Sequence, residues 1–190
     1  MLFQLSPVIE DDGYADAIVS LAAIKAHLRL DDDGEDDLVI ALRDAAIDLV
    51  QKCASLRLAP TVGLVARFAG FGTGMMVGVG PAATLAVTAI SYLDASGAPV
   101  AMTAGGWRVG ADGGLLPAVG TAWPVAGGEV MATFTVGYPA GACPKGLISA
   151  VKLMTGHLYV NRDAMLAAGF EDDLPAPVVR ICDLYRPSVF

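Results

Sequence analysis

The chain has 190 residues, of which 55% are hydrophobic and 17% charged, and its net charge is −8. That length fits one domain, or one core with a smaller satellite module, and the apolar balance suggests that partner chains cover some apolar surface. Only 12 basic residues occur, and they are scattered, which argues against tight, direct binding of nucleic-acid phosphate, since that needs clustered Lys and Arg.

In chain order, residues 1–19 read as an extended or loosely held arm. Met1-Leu2-Phe3-Gln4 lacks a basic stretch followed by a long apolar one, so no signal peptide is expected. Ser20 is placed to cap a short helix with Leu21, Ile24 and Leu28 on one face. Six acids then fall within Asp31–Asp37. A calcium loop is a poor fit, because registering Gly34 as the turn glycine puts Arg29 and Ile40 at the two terminal ligand positions. A solvated loop fits better, with Glu35, Asp36 and Asp37 on the positive end of the next helix.

That helix is predicted over residues 35–58 and ended by Pro60, with Leu38, Leu42, Ala45, Leu49, Cys53 and Leu56 as its core stripe. Arg43, Asp44, Asp48 and Lys52 fall mostly outside the stripe. Short β segments separated by Gly-rich turns follow from Thr61 to Tyr138. Val62, Leu64 and Ala66 alternate with Gly63, Val65 and Arg67; Leu85–Leu93 reads as a strand closed by the turn Asp94-Ala95-Ser96-Gly97. Phe68–Leu93 carries no charge and is long enough for a membrane span, but its glycines and Pro81 point to β structure. Gly70-x-Gly72-x-Gly74 lacks the Gly-Lys-Ser/Thr of a phosphate loop and reads as a flexible hairpin tip.

The alternating strand Glu129–Val136 stops at Gly137-Tyr138. After Pro144 comes a helical pattern in which Leu147, Ile148, Val151, Met154, Leu158 and Tyr159 form one stripe about 140° wide. Arg162 continues that stripe one turn on, where a lone cation is costly unless paired or able to reach water. A linker with Glu171-Asp172-Asp173 leads to a last short helix, begun at Leu174-Pro175 and carrying Val178, Ile181, Cys182 and Tyr185 on one side. The expected fold class is α+β: a small bundle of three to four helices with an antiparallel β module of four to six strands inserted between the second and third long helices. The corresponding domains are an arm at 1–19, a helical core at 20–60 and 139–190, and the β module at 61–138.

Cys53, Cys143 and Cys182 are odd in number and far apart, with no C-x-x-C, and His27 and His157 do not cluster with them. Cys53 and Cys182 lie on packed faces. The pattern predicts neither a zinc site nor a disulfide framework, and it fits synthesis in a reducing cytoplasm. No catalytic residue, cofactor or metal ligand is expected. A Cys143–His157 pair in a small cytoplasmic enzyme is the alternative that the residue types leave open.

Several pieces, in order, carry a resemblance. These are Ser20-Leu21-x-x-x-Lys25-x-His27-Leu28-Arg29, Tyr92-Leu93-Asp94-x-x-Gly97, Trp107-x-Val109, Trp123-Pro124 and Phe134-x-x-Gly137-Tyr138, followed by Pro144 before His157-Leu158-Tyr159-x-x-Arg162, then Leu174-Pro175 and Leu184-Tyr185-Arg186. From residue 20 on, the chain resembles the head–tail connector (adaptor) proteins of tailed double-stranded DNA phages and of phage-like gene transfer particles. The resemblance implies a structural virion protein of the particle neck, made in the host bacterial cytoplasm. About a dozen copies would form a ring under the portal protein, contact a tail-side stopper or tail-completion protein, and extend the channel through which DNA passes without specific binding. No membrane partner and no enzymatic activity are implied. A tail-completion or other oligomeric scaffold protein would share the composition.

Within this resemblance the expected subunit or portal contacts are Tyr159, Arg162, Tyr185, Arg186 and Phe190, with Asp31, Asp33 and Asp36 of the acidic loop. Arg162 would pair either with Glu171, Asp172 or Asp173 of its own chain or with the Asp31–Asp37 loop of a neighbour. The apolar end of the chain, Tyr185–Phe190, is expected to reach the portal.

Overall fold

The computed structural model describes residues 3–5, 13–73, 75–77, 79–161 and 174–186; Arg162, Glu171, Asp172, Asp173 and Phe190 lie outside the described residues. The elements in order are β1 (Phe3–Leu5), α1 (Tyr14–Ile18), α2 (Leu21–Leu28), α3 (Asp36–Ala54), β2 (Thr61–Phe68), β3 (Met75–Met76), β4 (Ala86–Leu93), β5 (Pro99–Ala101), β6 (Trp107–Val109), β7 (Gly114–Pro117), β8 (Val130–Val136), α4 (Lys145–Val160) and α5 (Ala176–Tyr185). The fold is α+β, with the antiparallel strands β2–β8 inserted in chain order between α3 and α4, and β1, ahead of α1, pairing with β2. Two compact units result, a helical one from Asp11–Ala59 with Tyr138–Arg186, and a β one centred on Pro60–Gly137.

In the helical unit, α4 buries Leu147, Ala150, Val151, Met154, Thr155 and Leu158, the face its periodicity predicts, with Ile148 and Tyr159 half-buried beside them. Thr155 is accommodated there because its hydroxyl donates to the Val151 carbonyl at 2.9 Å. The face of α3 differs from expectation. Its fully buried apolar residues are Val39, Ala46, Ile47, Val50 and Ala54, whereas Leu42, Ala45, Leu49 and Cys53 are half-buried along one flank. The helix is apolar over so wide an arc that periodicity alone gave a centre rotated by about one residue position. It also ends earlier than predicted. Ser55 takes a left-handed conformation (φ 53°), and the Leu56 N–H donates back to the Gln51 carbonyl at 3.1 Å, closing the helix before Pro60 is reached.

Two buried polar groups on α3 hold its N-terminal neighbour. Arg43, only 4% exposed, donates from Nη1 to Asp16 at 2.6 Å and from Nε to Asp44 at 2.9 Å. The Gln51 Oε1 accepts from the Tyr14 hydroxyl at 2.6 Å and from the Leu58 N–H at 3.1 Å. Residues 14–18 are therefore a helix packed by Tyr14 and Ile18, and Phe3–Leu5 is a strand paired with β2. Of the extended or loosely held arm expected over 1–19, Phe3–Leu5 is extended, and Tyr14–Ile18 is instead helical and anchored. Sequence alone misses it because an Arg and a Gln, which ordinarily face solvent, supply the anchors.

The β unit has two antiparallel sheets, one in the order β1-β2-β8-β4-β5 and a smaller one in the order β3-β7-β6. Central β8 alternates with period two, burying Val130, Ala132, Phe134 and Val136. On β2 the predicted alternation breaks at Val62, which is 69% exposed. The pairing with β8 shifts register between Thr61 and Leu64, around Gly63 at φ 72°, and such a bulge moves one residue to the opposite face. The glycine run after Phe68 is also not a free hairpin tip, since Met75 pairs with Leu115 and both are buried. The turn after β4 forms as expected: the Asp94 carboxylate accepts from the Ser96 N–H and hydroxyl and from the Ala98 N–H at 2.6–3.0 Å, which holds its titration below the ordinary carboxylate range.

Two substitutions test this packing. Gln51→Leu strips an acceptor from two buried donors, and about 1–3 kcal/mol per orphaned group predicts a loss of ~2–6 kcal/mol in urea unfolding; a loss near zero would contradict the assignment. At Gly127 a Cβ would lie 2.2 Å from the Asp94 carbonyl oxygen and 2.8 Å from the Ala95 Cα. Backbone cannot yield as a side-chain tip does, so Gly127→Ala is expected to cost ~1–3 kcal/mol or more, read as a lowered unfolding midpoint of the β unit.

Candidate assembly surfaces

The acidic loop is built into the helical unit rather than merely solvated. Lys25, on α2 eight residues before Asp33, directs Nζ to the Asp33 carboxylate at 2.5 Å and to the Asp36 carboxylate at 2.6 Å. Its side chain is largely buried while Asp33 stays exposed, so the ammonium emerges from an apolar bed to hold the two acids. Asp36 is in the first turn of α3, where the helix dipole also favours negative charge. The Asp33 hydrogen bond lifts the Lys25 ammonium above its ordinary value and, in return, holds the Asp33 carboxyl below the usual range. Asp31 is exposed.

Tyr159 reaches the same region from α4. Its hydroxyl donates to the Glu35 carboxylate, which ties the C-terminal end of α4 to the start of α3 and fixes the two helices as antiparallel. Of the predicted contact residues, then, Asp33, Asp36 and Tyr159 are gathered around the α3 N-terminus. Lys25 and Glu35, not among the predicted site residues, join them. The sequence did hold a signal for Lys25, the cation just ahead of six acids, but its eight-residue reach is not a helical spacing. Close packing of α2 on α4 accompanies this cluster, with Gly156 facing Leu28 and the His27 ring at 3.7–3.8 Å from a Cβ position.

The second group of predicted residues sits at the opposite end of α4. The Tyr185 ring lies over Gly146 so closely that a Cβ there would be 2.6 Å from the hydroxyl oxygen. Arg186 donates to the Cys53 carbonyl from Nη2 at 2.7 Å and from Nε at 3.2 Å, and its Nη1 meets Asp183 at 3.2 Å. A guanidinium on a terminal carbonyl satisfies one of the acceptors that every helix end leaves open, and it complements the negative pole of α3. Tyr185 and Arg186 thus have roles within the helical unit.

The thiols are poorly set up for nucleophilic chemistry. Burial pushes Cys182 up to about 12, with a hydrogen bond shared with the neighbouring Cys53 sulfur adding to it, and burial pushes Cys143 up to about 11; both stay protonated near neutrality. Cys143 precedes α4 and His157 is in its last turn, so with 12 residues of helix between Lys145 and His157 the two are roughly 18 Å apart along the axis. The Cys143–His157 pair is not formed within the chain. A cavity of about 610 Å³ lies between α3 and α5, lined by Leu49, Lys52, Leu174, Val179 and Arg186 among others; no carboxylate or imidazole of the described residues lines it. Among the described residues no group of three or more His, Cys, Asp or Glu could hold a metal ion, and no helix is long and apolar enough to cross a membrane.

No family model matches the chain, and no curated protein matches it. Solved structures do. A chain in the virion of a native gene transfer agent particle is 26% identical, with a TM-score of 0.70 over 97% of this chain and 95% of that one. A chain in the neck of an empty gene transfer agent particle, computed with C6 symmetry, is 23% identical with a TM-score of 0.69 over 99% and 96%. A chain in the neck of a native particle, computed with C12 symmetry, is 22% identical with a TM-score of 0.66 over 99% and 96%. The last two likenesses concern the fold.

The clamp on the acidic loop has a pH signature. Asp33 is depressed in the folded chain, so its contribution holds above the free carboxylate pKa of about 3.9 and is lost as pH falls through the folded value. Lys25 is raised, so its contribution holds below 10.5 and is lost as pH rises past the folded value. The clamp is closed from about pH 4 to 10. In Lys25→Ala the Asp33 carboxyl is expected to titrate at higher pH than in the parent chain when followed by side-chain NMR shifts, and an unchanged titration would contradict the clamp.

Proposed function

We propose that the chain is a structural protein of the neck of a phage-like, gene-transfer-type particle, and within that neck the head–tail connector, or adaptor. The observation that carries this reading is the fold likeness over nearly the whole chain, at 26% identity, to a chain of a gene transfer agent virion. In this reading copies of the chain form a ring beneath the portal, continue the DNA channel, and present a surface to a tail-side component. The net charge of −8 suits such a channel, since a wall short of clustered cations does not grip the passing duplex. A ring closed by head-to-tail contacts also supplies a reason for the apolar composition, because each subunit covers surface on two neighbours.

The portal contact is assigned to the end of the chain. Arg186 caps α3 within the helical unit, and the apolar residue types of Val189 and Phe190, just beyond it in sequence, suit a pocket on the portal. Removing the chain from a particle-producing cell is expected to leave filled heads without tails by electron microscopy; a normal yield of tailed particles would overturn the neck reading. Truncation after Arg186 keeps the α3 cap, and it is expected to preserve the unfolding midpoint while abolishing co-purification with the portal. Undiminished co-purification would sink the role of the tail and leave the neck reading standing.

A further inference from the structure

Among the described residues, Asp37 and Asp48 on α3 and Lys145 and Lys152 on α4 make no ion pair, and they belong to helix ridges of opposite charge. On α3 the exposed ridge is Asp37, Ala41, Asp44 and Asp48, spaced to stack on one face. Asp44 already meets the buried Arg43 beside it, so it adds negative charge without a distant partner. On α4 the outward ridge carries the exposed Lys145, Leu153 and Val160, with Lys152 half-buried along its edge, and the helix contains no acid anywhere along Lys145–Val160. Leu153 is 41% exposed and Val160 79% exposed, an apolar component that a lysine ridge facing only water has no use for.

We propose that the α4 ridge of one copy packs against the α3 ridge of the next, as the repeating contact of a ring; this rests on the neck reading above. Three points support a pairing between copies rather than within one. First, α3, α4 and α5 all pack on one another, so each ridge points away from the shared core and the two face different directions. A face meeting a different face is the head-to-tail geometry that generates rings, whereas a self-complementary patch would stop at a dimer. Second, Lys145 and Lys152 are seven residues apart, as are Asp37 and Asp44, and on helices both intervals span about 10.5 Å; two lysines can meet two aspartates at once. Third, Ala41 between the acids leaves room for Leu153 to approach the helix closely. The charges then set register and partner choice, and the apolar residues at the centre exclude water.

The test is sedimentation velocity of the full chain over a range of concentrations, with three variants. Lys145→Glu with Lys152→Glu reverses one ridge, Asp37→Lys with Asp44→Lys reverses the other, and the third variant carries all four changes. Each single-ridge reversal is expected to raise the concentration for half-association by at least about tenfold, because like charges then face each other. The fourfold variant, with both ridges exchanged, is expected to recover most of the association. Leu153→Ser, which leaves every charge in place, is expected to weaken association as well, and circular dichroism checks that each variant is folded. Rings that persist unchanged in both reversals overturn the interface and leave the neck reading intact. A parent chain that stays monomeric throughout overturns the interface, and if it also fails to assemble on purified portal, it overturns the neck reading with it.

Discussion

The antiparallel packing of α4 on α3 is the constraint from which the helical unit follows. The two helices come from opposite ends of the chain, separated in sequence by β2–β8, and most of a helix's stability in a protein comes from packing its amphipathic face. Their apolar faces make the pairing favourable, through Leu147, Val151, Met154 and Leu158 on one side and Val39, Ala46, Ile47 and Val50 on the other. Polar contacts then fix its ends. Tyr159 holds Glu35 at one end, and at the other α5 bridges the pair, with Tyr185 on Gly146 and Cys182 directed to the Val50 carbonyl. Remaining elements are fastened to this pair: α1 by Arg43 and Gln51, α2 and the acidic loop by Lys25, and α5 by Arg186.

Much of this was legible in the chain, and the parts that were not share a physical cause. The α4 face, the α5 face, the β8 alternation and the Asp94 turn could be read directly, because each has a single apolar stripe or a single turn chemistry. On α3 the leucines of one arc and the Val, Ile and Ala residues of the next are both apolar; which centre is buried is decided by α4, α5 and α1 rather than by α3. The bulge at Gly63 is likewise decided by the pairing of β2 with β8. Arg43, Gln51 and Lys25 carry partly or fully buried anchoring roles that residue type alone argues against. Among the expected contact residues, Asp33, Asp36, Tyr159, Tyr185 and Arg186 all make contacts inside the helical unit, so residue types picked out by resemblance turn out to have local work as well.

That local work bears on what remains for assembly. With Tyr159 bonded to Glu35, Arg186 on the α3 terminus and Asp33 and Asp36 on Lys25, the described residues that make no ion pair include Asp37, Asp48, Lys145 and Lys152, with Leu153 and Val160 beside the lysines. The proposed ring needs two different faces per subunit, which the α3 and α4 ridges would supply. The acidic loop clamp has a separate consequence: it holds the start of α3 rigid, so the α3 ridge begins from a fixed point.

The measurement that reaches the central claim most directly is imaging of the purified chain mixed with portal protein, by negative-stain electron microscopy with the particle mass taken from light scattering. The account predicts rings of defined rotational symmetry, coaxial with the portal, and a mass that corresponds to one closed ring of this chain. A monodisperse monomer that leaves the portal bare would contradict it.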